Sequence, residues 1–306
     1  SPVLHASLIE LAEQAPLCTD QATLRGVLTE SHDLTRNALA HDTNAVEVAH
    51  WFSRLLTDAL HSPAATELTD GRIQIVTGPF GRGEGMPTSP VEWLSILPKS
   101  VPYQYNQNLE KVLTETGFVL APLPATLLPT TREDWEHRID HALEHGDGEA
   151  LGVYTDAGTW MAEKVLASRM APPALLRNAV EHRPPAVQTQ AGLPRKDVPI
   201  DIRRDLLSPL ARLARWAAIA AGSSATETLD RIAAGVHGGV VTQQEADYLS
   251  AAWRAGIALR LERWAEHLDG NGTTLDQLTQ VQRALFGACC RDVSLVMQSI
   301  AAHHRV

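Results

Sequence analysis

The chain has 306 residues, 44% of them hydrophobic and 20% charged, with a net charge of −10. That is enough for a substantial core and more than one domain, with the composition of a folded globular protein. The negative balance excludes broad nucleic-acid binding, though not a local basic pocket, and no apolar run reads as the ~20-residue span that crosses a bilayer.

The first residues, SPVLHASLIELAEQA, lack a basic start followed by an apolar block, so no signal peptide is expected, and the missing initiator Met reads as a trimmed or processed end. Residues 3–68 read as helices. Leu4, Leu8, Leu11 and Ala12 keep helical spacing, then Leu24, Val27, Leu28 and Leu34, then Val46, Val48, Trp51, Phe52, Leu55, Leu56 and Leu60. Asp20 and Thr43 are candidate caps, and Pro63 ends the last helix or lies just past it.

The texture changes at Asp70. GRIQIVTG alternates as a short strand ending at Gly78, and VEWLSIL is a second strand candidate. A helix over 103–116 closes at Gly117. FVLAPLPATLLP is broken by prolines, so it can hold only a short or edge strand. Residues 131–145 form a helix, and ALGVYTDAG reads as a further strand. From 157 the chain is helical again. Residues 183–199 are the best linker or excursion loop, and helices over about 202–221, 225–236, 242–268 and 274–303 follow, the layout of an antiparallel bundle. The fold class expected is α+β: an N-terminal helical segment (1–68), a small α/β core (69–165) and a C-terminal helical bundle (166–306).

Chemistry concentrates after the first strand, in GPFGRGEGMPTSPVEWLSIL. Gly78, Gly81, Gly83 and Gly85 let backbone N–H groups approach phosphate oxygens, Arg82 can fork onto phosphate, and Glu84 can orient it. On residue types alone a plain loop remains the commoner reading. SPVE also reads as a capping box, with Ser89 at the N-cap, Pro90 at N1 and Glu92 at N3. The apolar Val91, Trp93, Leu94, Ile96 and Leu97 suit a buried strand better, and only about eight residues precede Pro98, short for a helix.

GPFGRGE resembles the GSxGRGE stretch of the nucleotidyltransferase superfamily, in particular the bacterial uridylyltransferases that modify the nitrogen-regulatory PII protein. It is more similar still to a group of nucleotidyltransferase-like proteins often attached to CBS and cyclic-nucleotide-binding domains. Their pattern continues with five residues and an Asp-x-Asp on the next strand; here the spacing is kept, with Pro90 and Glu92 at the two acidic positions. Asp156 matches the aspartate of a later FFDxR strand, with Gly158 about where its arginine belongs. Asp201, Arg203, Pro209, Arg215, Thr228 and Arg231 fit the opening of the family's C-terminal helical domain. The likeness is clearest over 72–97 and 200–265; a Cys-, Met- and Asn-Pro-rich segment usual in the family is absent from 118–131.

The resemblance implies a nucleoside triphosphate ligand and Mg²⁺, with Gly78, Gly81, Arg82, Gly83, Glu84, Ser89, Arg203 and Arg204 toward the nucleotide and Glu92 and Asp156 as catalytic and metal-holding acids. Nucleotidyl transfer needs two metals held by two or three carboxylates. Pro90 offers no oxygen, Glu92 carries an extra methylene, and Pro79 replaces the family's serine, so impaired catalysis is expected. The function that follows is binding of a nucleotide, a regulatory partner protein, or both, in signalling, without membrane association. The alternatives are an active Mg²⁺-dependent enzyme moving a nucleoside monophosphate onto a protein or small hydroxyl acceptor, and a purely protein-binding scaffold.

Other groupings carry bland readings. Cys18, Cys289 and Cys290 form no disulfide framework and read as buried thiols of a reducing, cytoplasmic protein. His137, His141 and His145 share a helix face with metal-site spacing, but Trp135, Ile139, Ala142 and Leu143 form the apolar face opposite, so the histidines should meet solvent. Arg195, Lys196, Arg203 and Arg204 are either a solvated linker face or a wall of the nucleotide cleft, with Asp201 orienting one arginine. Trp51, Trp216, Trp253 and Trp264 read as core rather than base-stacking platforms.

Overall fold

A computed structural model describes residues 4–99, 106–121, 124–186, 189–190, 193–195, 197–267 and 277–306. The chain divides into two compact units, Ser1–His141 with Asp156–Met161, and Ala142–Thr155 with Ala162–Val306.

The first unit opens with helices α1 (Ala6–Gln14), α2 (Gln21–Ala40), α3 (Ala45–Leu60) and α4 (Pro63–Leu68). Asp20 caps α2, its carboxylate accepting the Thr23 N–H at 2.7 Å. The cap of α3 is Asn44 rather than Thr43, because the Asn44 side chain reaches the Val46 and Glu47 N–H groups. Pro63 lies just past the end of α3 at Leu60. It begins α4 one residue after the Ser62 cap, a position that needs no proline N–H.

A four-stranded mixed sheet follows, built of β1 (Ile73–Thr77), β2 (Pro90–Leu97), β3 (Val119–Leu120) and β4 (Thr130–Thr131). β2 is central. β1 runs antiparallel along it from Ile73↔Ile96 to Thr77↔Glu92, while β3 and β4 pair in parallel with its two ends. Alternation sends Val76, Val91 and Trp93 into one core with Leu28, Phe52, Leu55 and Leu56 of the helices. Between β1 and β2 the chain makes one helical turn, α5 (Gly78–Gly81). Pro90–Leu97 is a strand, so the capping-box alternative is excluded.

Helix α6 is seen over Asn108–Glu115 and closes through Gly117 at φ +101°; residues 103–105 of its expected start lie outside the described residues. In α7 (Arg132–His145), Trp135 and Ile139 are buried, and Trp135 donates to the Ser95 carbonyl at 3.0 Å. His137, His141 and His145 are exposed, as their spacing against the apolar face predicts. The expected strand at ALGVYTDAG is instead a helix, α8 (Gly148–Asp156). Asp147 starts it, accepting the Ala150 N–H on its side chain and the Leu151 N–H on its carbonyl. Leu151, Tyr154 and Thr155 are buried, and so short an apolar run does not separate strand from helix by period.

Helix α9 (Thr159–Leu166) begins in the first unit and ends in the second, which continues with α10 (Ala171–Glu181), α11 (Ser208–Ala220), α12 (Thr228–His237), α13 (Gln243–Ala265) and α14 (Gln280–His303). Each of α11 to α14 packs on the helix before it. Capping boxes at Thr242/Glu245 and Thr279/Gln282 start the two long helices. Residues 268 and 274–276 of the expected bundle helices, like Lys196, lie outside the described residues. The expected linker holds a short antiparallel hairpin, β5 (Thr189–Gln190) and β6 (Leu193–Pro194). One correction concerns α14, which is long and apolar enough to cross a membrane by length and composition. Half of that window is buried, with Phe286, Cys290, Val293 and Met297 turned inward, as in a core helix.

Candidate functional site

The glycine turn is built by its own backbone. Gly78 has φ +63°, and its carbonyl accepts the Arg82 N–H, while Glu84 N–H returns to the Pro79 carbonyl at 2.9 Å. A side chain at Gly78 would be strained by that φ and would strike Glu92 Oε2. The Glu92 carboxylate, directly across from Thr77 in the ladder, therefore lies against the Gly78 Cα. Gly81 is equally constrained, since a Cβ there would meet the Asp156 and Val76 carbonyls.

Arg82 does not reach toward solvent. Its Nε donates to Glu84 Oε2 at 3.0 Å and its Nη1 to Asp156 Oδ2 at 2.8 Å, with side-chain exposures of 9%, 8% and 2% for Arg82, Glu84 and Asp156. Burial alone would push this guanidinium down, but the Asp156 and Glu84 charges outweigh it and hold Arg82 above its ordinary value, fully charged. Ser89 is buried too, its hydroxyl accepting the Met86 N–H at 3.0 Å as a turn clamp.

The structure thus gathers Gly78, Gly81, Arg82, Gly83, Glu84, Glu92 and Asp156 around one turn. Asp156 arrives on the last residue of α8 and not on a strand. The acids present do not fit a two-magnesium centre. Pro90 has no side-chain oxygen, one Asp156 oxygen is taken by Arg82, and the described residues hold no group of three or more His, Cys, Asp or Glu placed to hold a metal.

Arg203 and Arg204 belong to the second unit, on a π-helical turn (Arg203–Leu207) that leads into α11. Asp201 acts on the Arg204 guanidinium only through its charge. It accepts the Arg204 N–H at 3.0 Å and starts the turn, whereas buried Asp205 takes Arg204 Nε at 2.9 Å. Sequence reasoning passed over Asp205, although the adjacent RRD triplet signals it. It also missed Glu149 on α8, which accepts from Asn178 at 2.9 Å and from Arg212 at 3.3 Å. Burial pushes the Glu149 carboxyl up, yet Asn178 and Arg212 prevail and lower it. Arg231, part of the family pattern, is buried and donates Nε to the Ala225 carbonyl, a structural role. Arg215 is likewise buried, lying over Gly152 of α8.

A strand, a glycine turn and an acid-bearing strand, followed in the chain by a helical bundle, make up an α+β protein. Residues 170–304 match the family described as "Putative nucleotidyltransferase substrate binding domain". The match supports a relation between this C-terminal part and nucleotidyltransferase-related proteins with a C-terminal substrate-binding domain. No curated protein matches the chain.

Proposed function

We propose that this chain is a nucleotidyltransferase-like protein that binds without transferring: it engages a nucleotide, a partner protein, or both, in a cytoplasmic signalling or regulatory role. The observation that carries the reading is Arg82 locked between Glu84 and Asp156, on a turn whose partner strand starts with Pro90. Transfer to a protein or small hydroxyl would need Glu92 and Asp156 to share magnesium, and Asp156 already spends an oxygen on Arg82. The buried thiols of Cys18, Cys289 and Cys290 suit a reducing compartment.

A second reading, a protein-binding scaffold that takes no nucleotide, is favoured by Glu92. Its carboxylate lies against Gly78, where an approaching phosphate would meet like charge. Thermal stabilisation by ATP, UTP, CTP or GTP with Mg²⁺ separates the readings, since a ligand at about 100 times its Kd adds about 2.7 kcal/mol. A rise in Tm without pyrophosphate release supports the binder. No rise with any nucleotide supports the scaffold. Pyrophosphate release abolished by Glu92→Ala overturns both in favour of an enzyme.

A further inference from the structure

Three arginines of the second unit stand close together with little negative charge among them. Arg212 and Arg215 are one helical turn apart on α11, so their side chains leave the same face, about 5–6 Å apart at Cβ. Helix α8 meets that face with the same spacing. Arg212 Nη2 lies 3.3 Å from Glu149 Oε1, and the Arg215 guanidinium lies against Gly152, where a Cβ would come within 2.7 Å of Nη1. Arg203, on the π-helical turn before α11, is near enough for its charge to act on Arg212. Burial pushes Arg212 below its ordinary value; the charges of Arg215 and Arg203 push the same way, and Glu149 opposes them.

Neutralisation within this group is incomplete. Glu149 is the carboxylate that Arg212 bonds among the described residues, and its side chain is 62% exposed, so solvent screens the pair. Its other oxygen is held by Asn178 at 2.9 Å. The Arg203 guanidinium has no hydrogen bond or ion pair among the described residues, whereas its neighbour Arg204 is taken by Asp205. Three guanidiniums thus face one screened carboxylate, and a bound anion would relieve their repulsion. Guanidinium forks match phosphate oxygens, and a terminal phosphate carries about −1.5 to −2 charges at pH 7. Spread over more than one helical turn, the three exceed the width of a single phosphate.

We propose that Arg203, Arg212 and Arg215 anchor the diphosphate or triphosphate chain of a ligand, with Glu149 as the stand-in that the ligand's oxygens replace on Arg212. All three arginines lie in the part matched at 170–304. The site deepens the binding reading by naming the charged group of the ligand, and it uses neither the glycine turn nor magnesium.

The test is isothermal titration of the whole chain with pyrophosphate, without Mg²⁺ and at constant ionic strength. One saturable site per chain is expected, with inorganic phosphate bound at least about tenfold more weakly. Arg203→Gln and Arg212→Gln should each weaken pyrophosphate at least about tenfold, the loss of a charge-assisted bond. Arg291→Gln, which removes the same charge from an exposed position on α14, should change binding less than about twofold, as expected of a distant surface charge. Glu149→Gln should bind more tightly, because it keeps an oxygen for Asn178 and removes the competing charge. Arg203→Gln should leave the Tm of the unliganded protein unchanged or raised, since it removes repulsion and no bond. Absence of saturable binding, equal loss in Arg291→Gln, undiminished binding in Arg203→Gln and Arg212→Gln, or weaker binding in Glu149→Gln would each overturn the proposal. A lowered unliganded Tm in Arg203→Gln would do so too, by making that arginine part of the fold. ATP that displaces pyrophosphate would identify the chain as a nucleotide's; ATP that does not would assign the same anchor to another diphosphate. Pyrophosphate bound without stabilisation by any nucleotide would keep this site and sink the nucleotide reading. Nucleotide stabilisation unchanged in all three arginine variants would do the reverse.

Discussion

Replacing Arg82 tests whether its guanidinium holds the core together or is free for a ligand. Arg82→Met keeps most of the side-chain volume and leaves Glu84 and Asp156, 8% and 2% exposed, without their counter-charge. Removing one partner of a buried ion pair costs about 3–5 kcal/mol, because the remaining charge stays desolvated and unpaired. For a cooperative unit near 150 residues, each kcal/mol moves Tm by about 2–4 °C, so a fall of roughly 6–20 °C is expected in calorimetry. Urea unfolding should show the same loss with little change in m. The double variant Arg82→Met/Asp156→Asn should be more stable than the sum of the single effects, with a coupling of about 1–3 kcal/mol. A loss below about 1 kcal/mol, or strictly additive effects, would refute the reasoning. Such a result would describe an arginine facing water, ready for phosphate, and would return weight to the active-enzyme reading.

Gly78→Ala should cost about 1–3 kcal/mol in urea unfolding, from the positive φ and the collision with Glu92 Oε2, and Glu92→Ala should recover the steric part only. Pro90→Asp should restore no pyrophosphate release, because Asp156 remains bonded to Arg82; measurable turnover would contradict that. His32 lies between Phe52 and Phe118, and burial pushes its pKa down, with bonds to the Leu28 and Gly117 backbones only partly opposing. Below about pH 6.5 the unfolded chain therefore takes up a proton that the native state refuses. Stability contributed by neutral His32 is complete above that pH and lost as pH falls toward the depressed native value, so the urea midpoint should drop between pH 7.5 and 5.5 and drop less in His32→Gln. Burial pushes the Cys289 thiol up to about 11 and Cys290 higher, so native protein should react slowly with a thiol reagent and at once when unfolded.

The elements legible in the sequence are those where one signal dominates. Leu24, Val27 and Leu28, or Val48, Phe52, Leu55 and Leu56, repeat at helical period over long stretches, and Asp20 stands where a cap belongs. The strand before Gly78 is bounded by the residue that demands positive φ. Failure came where signals compete. ALGVYTDAG is apolar with β-branched and aromatic residues, which favours a strand, while Asp147–Gly148–Glu149 opens a helix. Nine residues carry too little periodicity to decide, and tertiary burial decides instead. Ion pairing was less legible still. Arg82–Asp156 joins residues 74 positions apart, and nothing local to either reveals the other.

The positions that match the family pattern and the positions that depart from it differ in what they touch. Arg82, Glu84 and Asp156 keep the expected residue types, and they are buried and ion-paired to one another. Pro79, Pro90 and Glu92 depart, at positions where the resemblance implies a hydroxyl or a short carboxylate toward phosphate and metal. Losing a charge from the first set leaves its partners stranded in the core, a cost of several kcal/mol paid whether or not any reaction occurs. Changing the second set leaves the fold nearly untouched, since a proline can open β2 and a glutamate can lie across Gly78. A chain released from transferase chemistry but still required to fold would diverge along this line, keeping the motif's charged frame and losing its reactive face. On this argument Arg82 serves the fold, and the proposed binding would be sought first in the part matched at 170–304.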